Sequence, residues 1–351
     1  MYCIFHFMLR AKMAVQRCRW AVANGAMVRR VNGSTWDERG RLAARGGQST
    51  SESDVVMKAL KKYLMAGVAA LPLVAQAAPS VSESGVAPAL SDNEGVIANM
   101  LRHYDNPFTL YPYSTNYVLY TQTSDINKEA ISSYDWGDQA KKNEIKFQIS
   151  LAFPIWRGIA GDNSVLGAAY TQQSWWQAFN RSESSPFRET NYEPRLFLGW
   201  ATDYPLFGGW VLRDIEAGGV HQSNGRSDPT SRSWNRVYTR FLAQNGNFQV
   251  QLMPWYRIPE SPNKDDNPDI TKYMGYYEAE MGYRLGESVF SLRGRYNWNS
   301  GYGAAEFGWS YPLTRHVRFY TQLFSGYGES LIDYNFRQTR FGVGVMLNDI
   351  L

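Results

Sequence analysis

The chain has 351 residues, of which 44% are hydrophobic and 15% aromatic, and its formal net charge is +4. No run of about 18 apolar residues occurs, and the most apolar stretch, 64–78, is too short to span a bilayer as a helix. A helical membrane protein is therefore excluded. Residues 1–77 hold 12 Lys and Arg against 4 Asp and Glu, which leaves 24 basic and 28 acidic residues in 78–351. This net charge of −4 argues against nucleic acid as the partner of the folded part.

Residues 57–77 have the three parts of a secretory signal peptide. Lysines begin the segment, an apolar stretch follows at 64–74, and Ala-Gln-Ala at 75–77 is a small-x-small cleavage site. We therefore predict cleavage after residue 77. Because such signals normally begin a chain, residues 1–56 are interpreted as a mis-assigned start or a removed extension. The alternative is a cytoplasmic domain ahead of the signal, but 1–56 lacks the sustained periodicity that could bury a core.

Alternation of apolar and polar residues is the main signal from residue 111 onward. In 143–156, six apolar residues alternate with polar ones, which predicts a strand with one apolar and one polar face. Such segments are roughly 10 to 16 residues long, whereas a typical globular strand has about 5 or 6 and a tilted bilayer-crossing strand about 9 to 11. Twelve are predicted, at 111–123, 143–156, 164–178, 190–203, 208–223, 232–244, 247–259, 270–285, 288–299, 301–312, 315–328 and 338–351.

An even number of long alternating strands behind a signal peptide predicts an all-β fold, an antiparallel transmembrane β-barrel of about 12 strands. The barrel would span 111–351, with 78–110 as an N-terminal segment. The alternative, a soluble sandwich with an aromatic core, fits neither the strand length nor the polar face. Charges of opposite sign on adjacent strands predict an interior filled by ion pairs, with an open pore less favoured; these residues are Asp214, Glu216, Arg236, Arg240, Glu278, Glu280, Arg293 and Arg295.

Three histidines lie in 78–351, and one of them has a neighbourhood suited to chemistry. His103 and His316 are interpreted as structural or solvated. His221 precedes Ser223 by two residues, so the two side chains share one side of a strand, and the register puts them on the apolar, outward side together with Asn235 of the next strand. Polar groups are costly in hydrocarbon, so a structural reason for them is lacking. A nucleophilic serine, a histidine base and an orienting third group together predict acyl transfer.

Six long motifs give the chain a family resemblance. Over 95–351 it resembles outer membrane phospholipase A, through DNPFTLYPY at 105–113, NEIKFQISLAFPIWRG at 143–158, SSPFRETNYEP at 184–194, HQSNGRSDPTSRSWNR at 221–236, DDNPDITKYMGYY at 265–277 and SGYGESLIDYNF at 325–336. The resemblance implies a twelve-stranded barrel in the bacterial outer membrane, with its active site facing the outer leaflet. It also implies hydrolysis of acyl ester bonds, both A1 and A2, in phospholipids and lysophospholipids.

The resemblance also assigns roles to single residues. His221 and Ser223 are implied to be base and nucleophile, with Asn235 as the third member of the triad. The backbone N–H of Gly225 is implied to serve the oxyanion. Residue Gln222 lies between base and nucleophile, and its side chain is expected to point inward.

A calcium-dependent homodimer is the further implication of the resemblance. Ca²⁺ would bind near the triad through Ser185 of one subunit and through Arg226 and Ser231 of the other. Asp266 resembles a further calcium position, although 261–263 looks like an added stretch just before it. A hard cation with oxygen ligands would stabilise the negative charge that develops on the tetrahedral intermediate.

The dimer interface is expected to include a lipid-facing glutamine, Gln173, since a buried hydrogen-bonding pair between subunits would explain a polar group there. The alternative is that Gln173 is a lumen residue in a slipped register.

Two other functions compete with the hydrolase. A passive porin or structural barrel would be indifferent to Ser223→Ala, whereas the hydrolase would lose its activity. An outer-membrane peptidase would need catalytic carboxylates, a cysteine or an HExxH motif, and 78–351 has no cysteine and no HExxH.

Overall fold

The computed structural model describes residues 95–104, 109–181 and 184–348. The proposed start at 1–56 and the signal peptide at 57–77 lie outside these ranges, as do 78–94 and 105–108 of the N-terminal segment. Those boundaries stay predictions.

Twelve long antiparallel strands pair in chain order and close into a barrel, which confirms the predicted fold class. Closure comes from the first long strand pairing with the last. The elements are α1 Val96–Arg102, β1 Tyr111–Pro112, β2 Asn116–Thr123, β3 Asn143–Arg157, β4 Ser164–Trp176, β5 Phe187–Pro205, β6 Val211–Ser223, β7 Ser233–Asn245, β8 Phe248–Ile258, α2 Ile270–Met274, β9 Tyr277–Leu285, β10 Ser288–Asn297, β11 Tyr302–Pro312, β12 Arg318–Tyr327 and β13 Arg337–Asn348, with short 3₁₀ turns at Gly137–Gln139 and Phe207–Gly209.

The observed strands differ from the predicted ones most at two places. The segment 111–123 is not one strand: β1 and β2 are separated at 113–115, because Tyr113 turns into the lumen and donates a hydrogen bond to Glu216 Oε1 at 2.6 Å. Residues 270–274 form the helix α2 instead of the start of β9. The alternation of that segment therefore begins only after the helix, at Tyr277.

Burial follows the alternation. In β7, Trp234, Arg236 and Arg240 are buried, whereas Val237 and Phe241 are exposed. The outer side is therefore apolar and the inner side polar, the reverse of a water-soluble barrel. No helix in the described ranges is long and apolar enough to span a bilayer.

Ion pairs between adjacent or next-but-one strands line the lumen, as the charge pattern predicts. Four of them are Arg240–Glu216, Arg236–Glu193, Arg293–Glu280 and Arg295–Glu278. A cavity of about 390 Å³ remains between these side chains. The interior is thus filled by paired charges, which satisfy one another where water is scarce.

Helix α1 lies inside one end of the barrel. Its Ile97 and Met100 are fully buried and belong to one cluster with inward residues of β3, β4 and β5. The main-chain N–H of Ile97 donates to Asp214 Oδ2 at 3.4 Å, which satisfies one of the free amides at the start of the helix. A Cβ on Gly199 would lie 2.5 Å from Ile97 Cδ1, so glycine is needed for this close approach.

The two ends of the barrel have different connections. Short turns join strands at one end, at 158–163, 206–210, 246–247, 286–287 and 313–317. Longer connections lie at the other end, at 124–142, 177–186, 224–232, 259–276 and 328–336, beside the short 298–301. The segment 224–232 follows β6 directly, so His221 and Ser223 lie at the end with the long connections.

Candidate active site

His221 and Asn235 face each other across β6 and β7. The two residues are direct partners in the strand register. His221 Nδ1 donates to Asn235 Oδ1 at 2.9 Å, and the His221 ring is exposed on the outer side of the barrel. Since an amide oxygen only accepts, this contact places the proton on Nδ1 and leaves Nε2 with a free lone pair.

Ser223 ends β6, two residues after His221 and on the same side of the strand. In the register it lies between Tyr192 of β5 and Ser233 of β7. Gln222, between His221 and Ser223, points inward as expected, since its Oε1 accepts from Trp234 Nε1 at 2.7 Å. The serine and histidine therefore share the outer surface, at the edge of the apolar zone.

The connection after β6 is held by a buried asparagine, Asn224. Its Oδ1 accepts from the main-chain N–H groups of Arg226 and Arg232, at 3.3 and 3.0 Å, and its Nδ2 donates to the Thr230 carbonyl at 2.8 Å. Gly225 follows with φ of 65°, a conformation that favours glycine, and a Cβ there would meet Tyr192 at 3.1 Å. Within the described ranges, the Gly225 N–H donates to no protein acceptor.

The side chain of Arg226 is held on the rim of the barrel. Its Nη2 donates to the carbonyls of Phe187 and Arg188, both at 3.0 Å, and its Nε lies 3.5 Å from Glu189 Oε2. The guanidinium also lies 4.6 Å from the ring centre of Tyr134, whose pKa burial raises to about 12, so this phenol stays neutral and the contact is a cation–π contact. A guanidinium cannot ligate a cation, so Arg226 could serve calcium only through its carbonyl oxygen.

Two of the predicted calcium residues are in contact. Ser231 Oγ donates to Asp266 Oδ2 at 2.6 Å, although 35 residues separate them. Both are oxygen donors of the kind that Ca²⁺ prefers. Among the described residues, no group of three His, Cys, Asp or Glu side chains could hold a metal. The donor set fits calcium only if hydroxyl, carbonyl and water oxygens complete it.

Ser185 lies in the connection between β4 and β5. Its φ is 53°, unusual for a residue with a side chain. Trp176 Nε1 donates to its carbonyl at 2.7 Å, and its own hydroxyl donates to the Ala178 carbonyl at 3.1 Å. The turn is therefore held in a strained but well-bonded conformation at the same end of the barrel as His221 and Ser223.

The expected lipid-facing orientation of Gln173 is wrong. Its side chain points into the lumen, where Nε2 donates to Gln148 Oε1 at 2.5 Å. Gln148 is its register partner and is only 3% exposed. The neighbouring Gln172 lies on the outer side, opposite Ile149, which is 46% exposed. The sequence YTQQSWW offers two adjacent glutamines, and only the register of β4 tells which of them faces outward.

One contact of the site was not predicted. Asn235 Nδ2 donates to Glu260 Oε1 at 3.0 Å, so a carboxylate lies on the far side of the asparagine from His221. Glu260 comes two residues after the end of β8, whose Ile258 is the register partner of Asn235. No sequence motif identifies Glu260 as part of the site. Only the pairing of β7 with β8 could have indicated that it lies next to Asn235.

A closed barrel with an apolar outer side and a serine, histidine and asparagine on that side defines an integral outer-membrane protein with a hydrolase-like surface site. The family model described as phospholipase A1 matches residues 96–347. The phospholipase A1 of Escherichia coli (strain K12) is 65% identical over 295 residues, which cover 84% of this chain and 100% of that protein. The phospholipase A1 of Klebsiella pneumoniae is 69% identical over 255 residues, covering 73% of this chain and 88% of that protein.

Two solved structures share the fold. One is the outer membrane phospholipase A of Escherichia coli, and the other is the Salmonella typhi outer membrane phospholipase, a dimer with bound calcium. Each has a TM-score of 0.71 and 70% sequence identity, and each comparison covers 73% of this chain and 98% of the other. The chain belongs to the phospholipase A1 family, and it is an outer-membrane phospholipase A1.

Proposed function

We propose that Ser223, His221 and Asn235 form the catalytic triad of this phospholipase. The observation that carries the proposal is the 2.9 Å hydrogen bond from His221 Nδ1 to Asn235 Oδ1, on the outer side of the barrel and two residues from Ser223. A related Escherichia coli structure is an active-site mutant in which an asparagine is replaced by alanine. The test compares acyl release from phospholipid micelles by the wild-type protein and by Ser223→Ala.

In the proposed reaction, His221 Nε2 takes the proton of the Ser223 hydroxyl as the oxygen attacks the ester carbonyl of the lipid. The Gly225 N–H donates to the oxygen that becomes negative. The ester C–O bond then breaks, the lyso product leaves with the proton from His221, and the acyl group stays on Ser223. Water, activated by the same histidine, hydrolyses this ester and releases the fatty acid.

The substrate range is proposed to include both acyl positions, A1 and A2, and lysophospholipids. His221 is exposed and Ser223 is only partly buried, so an ester can reach the nucleophile from the membrane without entering a closed pocket. The active site is proposed to face the outer leaflet, because outer-membrane barrels place their long connections outside the cell and their short turns in the periplasm. The triad lies at the end with the long connections.

Calcium is proposed as the cofactor. The supporting observation is the oxygen pair of Ser231 and Asp266, 2.6 Å apart and next to the connection that carries Gly225, together with the calcium in the Salmonella typhi relative. When bound, the cation would supply positive charge near the oxyanion. Ser185 and the carbonyl of Arg226 are proposed as further ligands.

Asp266→Asn should raise the calcium concentration for half-maximal hydrolysis by about tenfold or more, since a charged oxygen near the cation is lost. The measurement is a calcium titration of fatty-acid release from micelles. Asp125→Asn is the matched control, because Asp125 is a 69% exposed carboxylate at the same end of the barrel, and its titration should be unchanged. An unaltered calcium dependence of Asp266→Asn would remove Asp266 from the site.

A homodimer is proposed as the active form, with the outer side of β4 as part of the interface. A chain of hydrogen bonds runs over that side, from Tyr170 to Gln172 at 2.9 Å and from Gln172 to Ser174 at 3.2 Å. Polar groups on a lipid-facing side are costly unless a partner also binds them. The Salmonella typhi relative is a dimer.

Gln172→Ala should weaken calcium-induced dimerisation by several-fold, whereas Gln173→Ala should leave it unchanged, because only Gln172 faces outward. The two variants are a matched pair, identical in chemistry and adjacent in sequence. Sedimentation equilibrium in detergent with calcium measures the dimer fraction directly. If Gln173→Ala dimerised more weakly than Gln172→Ala, the proposed interface would be wrong.

A further inference from the structure

The carboxylate of Glu260 binds the asparagine of the proposed triad on the side away from His221. Asn235 Oδ1 accepts from His221 Nδ1 at 2.9 Å, while Asn235 Nδ2 donates to Glu260 Oε1 at 3.0 Å. The three side chains form one hydrogen-bonded line across the outer side of β6, β7 and the chain just beyond β8. The line ends at an acceptor that carries a full negative charge.

The chemistry of the three groups allows one arrangement of protons. An asparagine amide can turn over and present either its oxygen or its NH₂ group to a neighbour. A carboxylate has no proton to donate, so it accepts only the NH₂ group, and the Asn235 oxygen must then face the imidazole. Because that oxygen cannot donate, His221 must carry its proton on Nδ1. Only this tautomer leaves Nε2 free to take a proton from serine.

We propose that Glu260 is a positioning residue for catalysis, which holds the Asn235 amide in the orientation that keeps His221 a base. The inference rests on the proposed triad. Without Glu260, the Asn235 amide could turn over and offer its NH₂ group to His221, which would favour the tautomer protonated on Nε2. The negative charge of Glu260 also lies on the same line as the imidazolium that forms during the reaction, and it compensates in part for the neutral amide.

The backbone holds Glu260 in place. Ile258 is the register partner of Asn235 and is exposed on the outer side, and the hydrogen bond with Asn235 places Glu260, two residues further on, at the same side. Pro259 and Pro262 flank Glu260, and a proline ring fixes the backbone angle φ. Glu260 is half-buried in the structure, which limits competition from water.

The test is a double-mutant cycle in the full-length enzyme, measured as calcium-dependent acyl release from micelles. Glu260→Leu should lower kcat by about tenfold, the factor that corresponds to one net hydrogen bond, with KM unchanged. Glu260→Gln keeps an acceptor oxygen but loses the charge and can also present its NH₂ group, so its kcat should lie between those of Glu260→Leu and the wild type. Combined with Asn235→Ala, the Glu260→Leu change should have no further effect, because its action passes through Asn235. Glu129→Leu removes an exposed carboxylate at the same end and should leave kcat unchanged.

The outcomes separate this role from the triad itself. Wild-type kcat in Glu260→Leu, together with an impaired Asn235→Ala, would overturn the positioning role and leave the triad intact. If Glu260→Leu lowered kcat by the same factor in the wild-type and Asn235→Ala backgrounds, that result would also overturn the positioning role, since Glu260 would then act independently of Asn235. If Asn235→Ala itself kept full activity, the triad proposal would fail and this inference with it. A loss of kcat in Glu260→Leu, a smaller loss in Glu260→Gln and no further loss when Glu260→Leu is combined with Asn235→Ala would support it.

Discussion

Ser223→Ala is expected to lower acyl hydrolysis by about 10⁴-fold or more, because a triad without its nucleophile retains only the contribution of binding and oxyanion stabilisation. The barrel should stay folded. Ser223 is the last residue of β6 and is only partly buried, so its hydroxyl contributes little to the free energy of unfolding, within about 0.5 kcal/mol.

The measurement is fatty-acid release from mixed micelles by residues 78–351 refolded in detergent, with calcium and with EDTA. Ser227→Ala is the matched control, because Ser227 is an exposed serine in the connection that follows β6 and should keep wild-type activity. Calcium-dependent release that disappears only in Ser223→Ala would establish the serine mechanism. Release that persists in Ser223→Ala would show that another group is the nucleophile, and the proposed triad would have to be abandoned.

Arg340→Met is expected to destabilise the barrel by about 3–5 kcal/mol, the cost of leaving buried carboxylates without their partner. Arg340 is 2% exposed. Its Nη1 lies 2.8 Å from Glu144 Oε2 and its Nε 2.7 Å from Glu329 Oε2. The same Glu144 binds Arg188 at 2.8 Å, so the loss would spread through a network of coupled charges.

The free energy of unfolding in urea, measured from lipid vesicles, tests this expectation. Arg213→Met is the matched control, because Arg213 pairs with Asp203 near the short-turn end, where the two side chains are 33% and 80% exposed. An exposed pair contributes about 1 kcal/mol or less. If the two variants lost equal stability, the buried network would not be what holds the lumen together.

The network also connects to the site. Arg188 binds Glu144 and Asp333, and the carbonyl of Arg188 accepts from the Arg226 guanidinium at 3.0 Å. Arg226 begins the part of the connection that leads to Ser231. The paired charges of the lumen therefore extend to the rim on which the proposed calcium ligands lie.

The barrel itself could be predicted from the sequence because strand alternation is a local property. Period-two patterning decides which side of each strand faces lipid, and this predicts that His221, Ser223 and Asn235 lie on the outer side, as the strand register has them. Local patterning failed where a segment alternates without pairing as a strand. At 270–274 the chain forms α2, because contacts with the end of the barrel outweigh the alternation.

The sequence by itself determined the class of fold, the strand count, the polar interior and the residues of the proposed triad, since each depends on residue types at short spacings. Only the tertiary structure decided which of two adjacent glutamines faces outward, that Ser231 meets Asp266, and that Glu260 lies behind Asn235. These facts depend on how separate strands and connections register against one another. That register is set by pairing across the whole barrel, and no short stretch of sequence contains it.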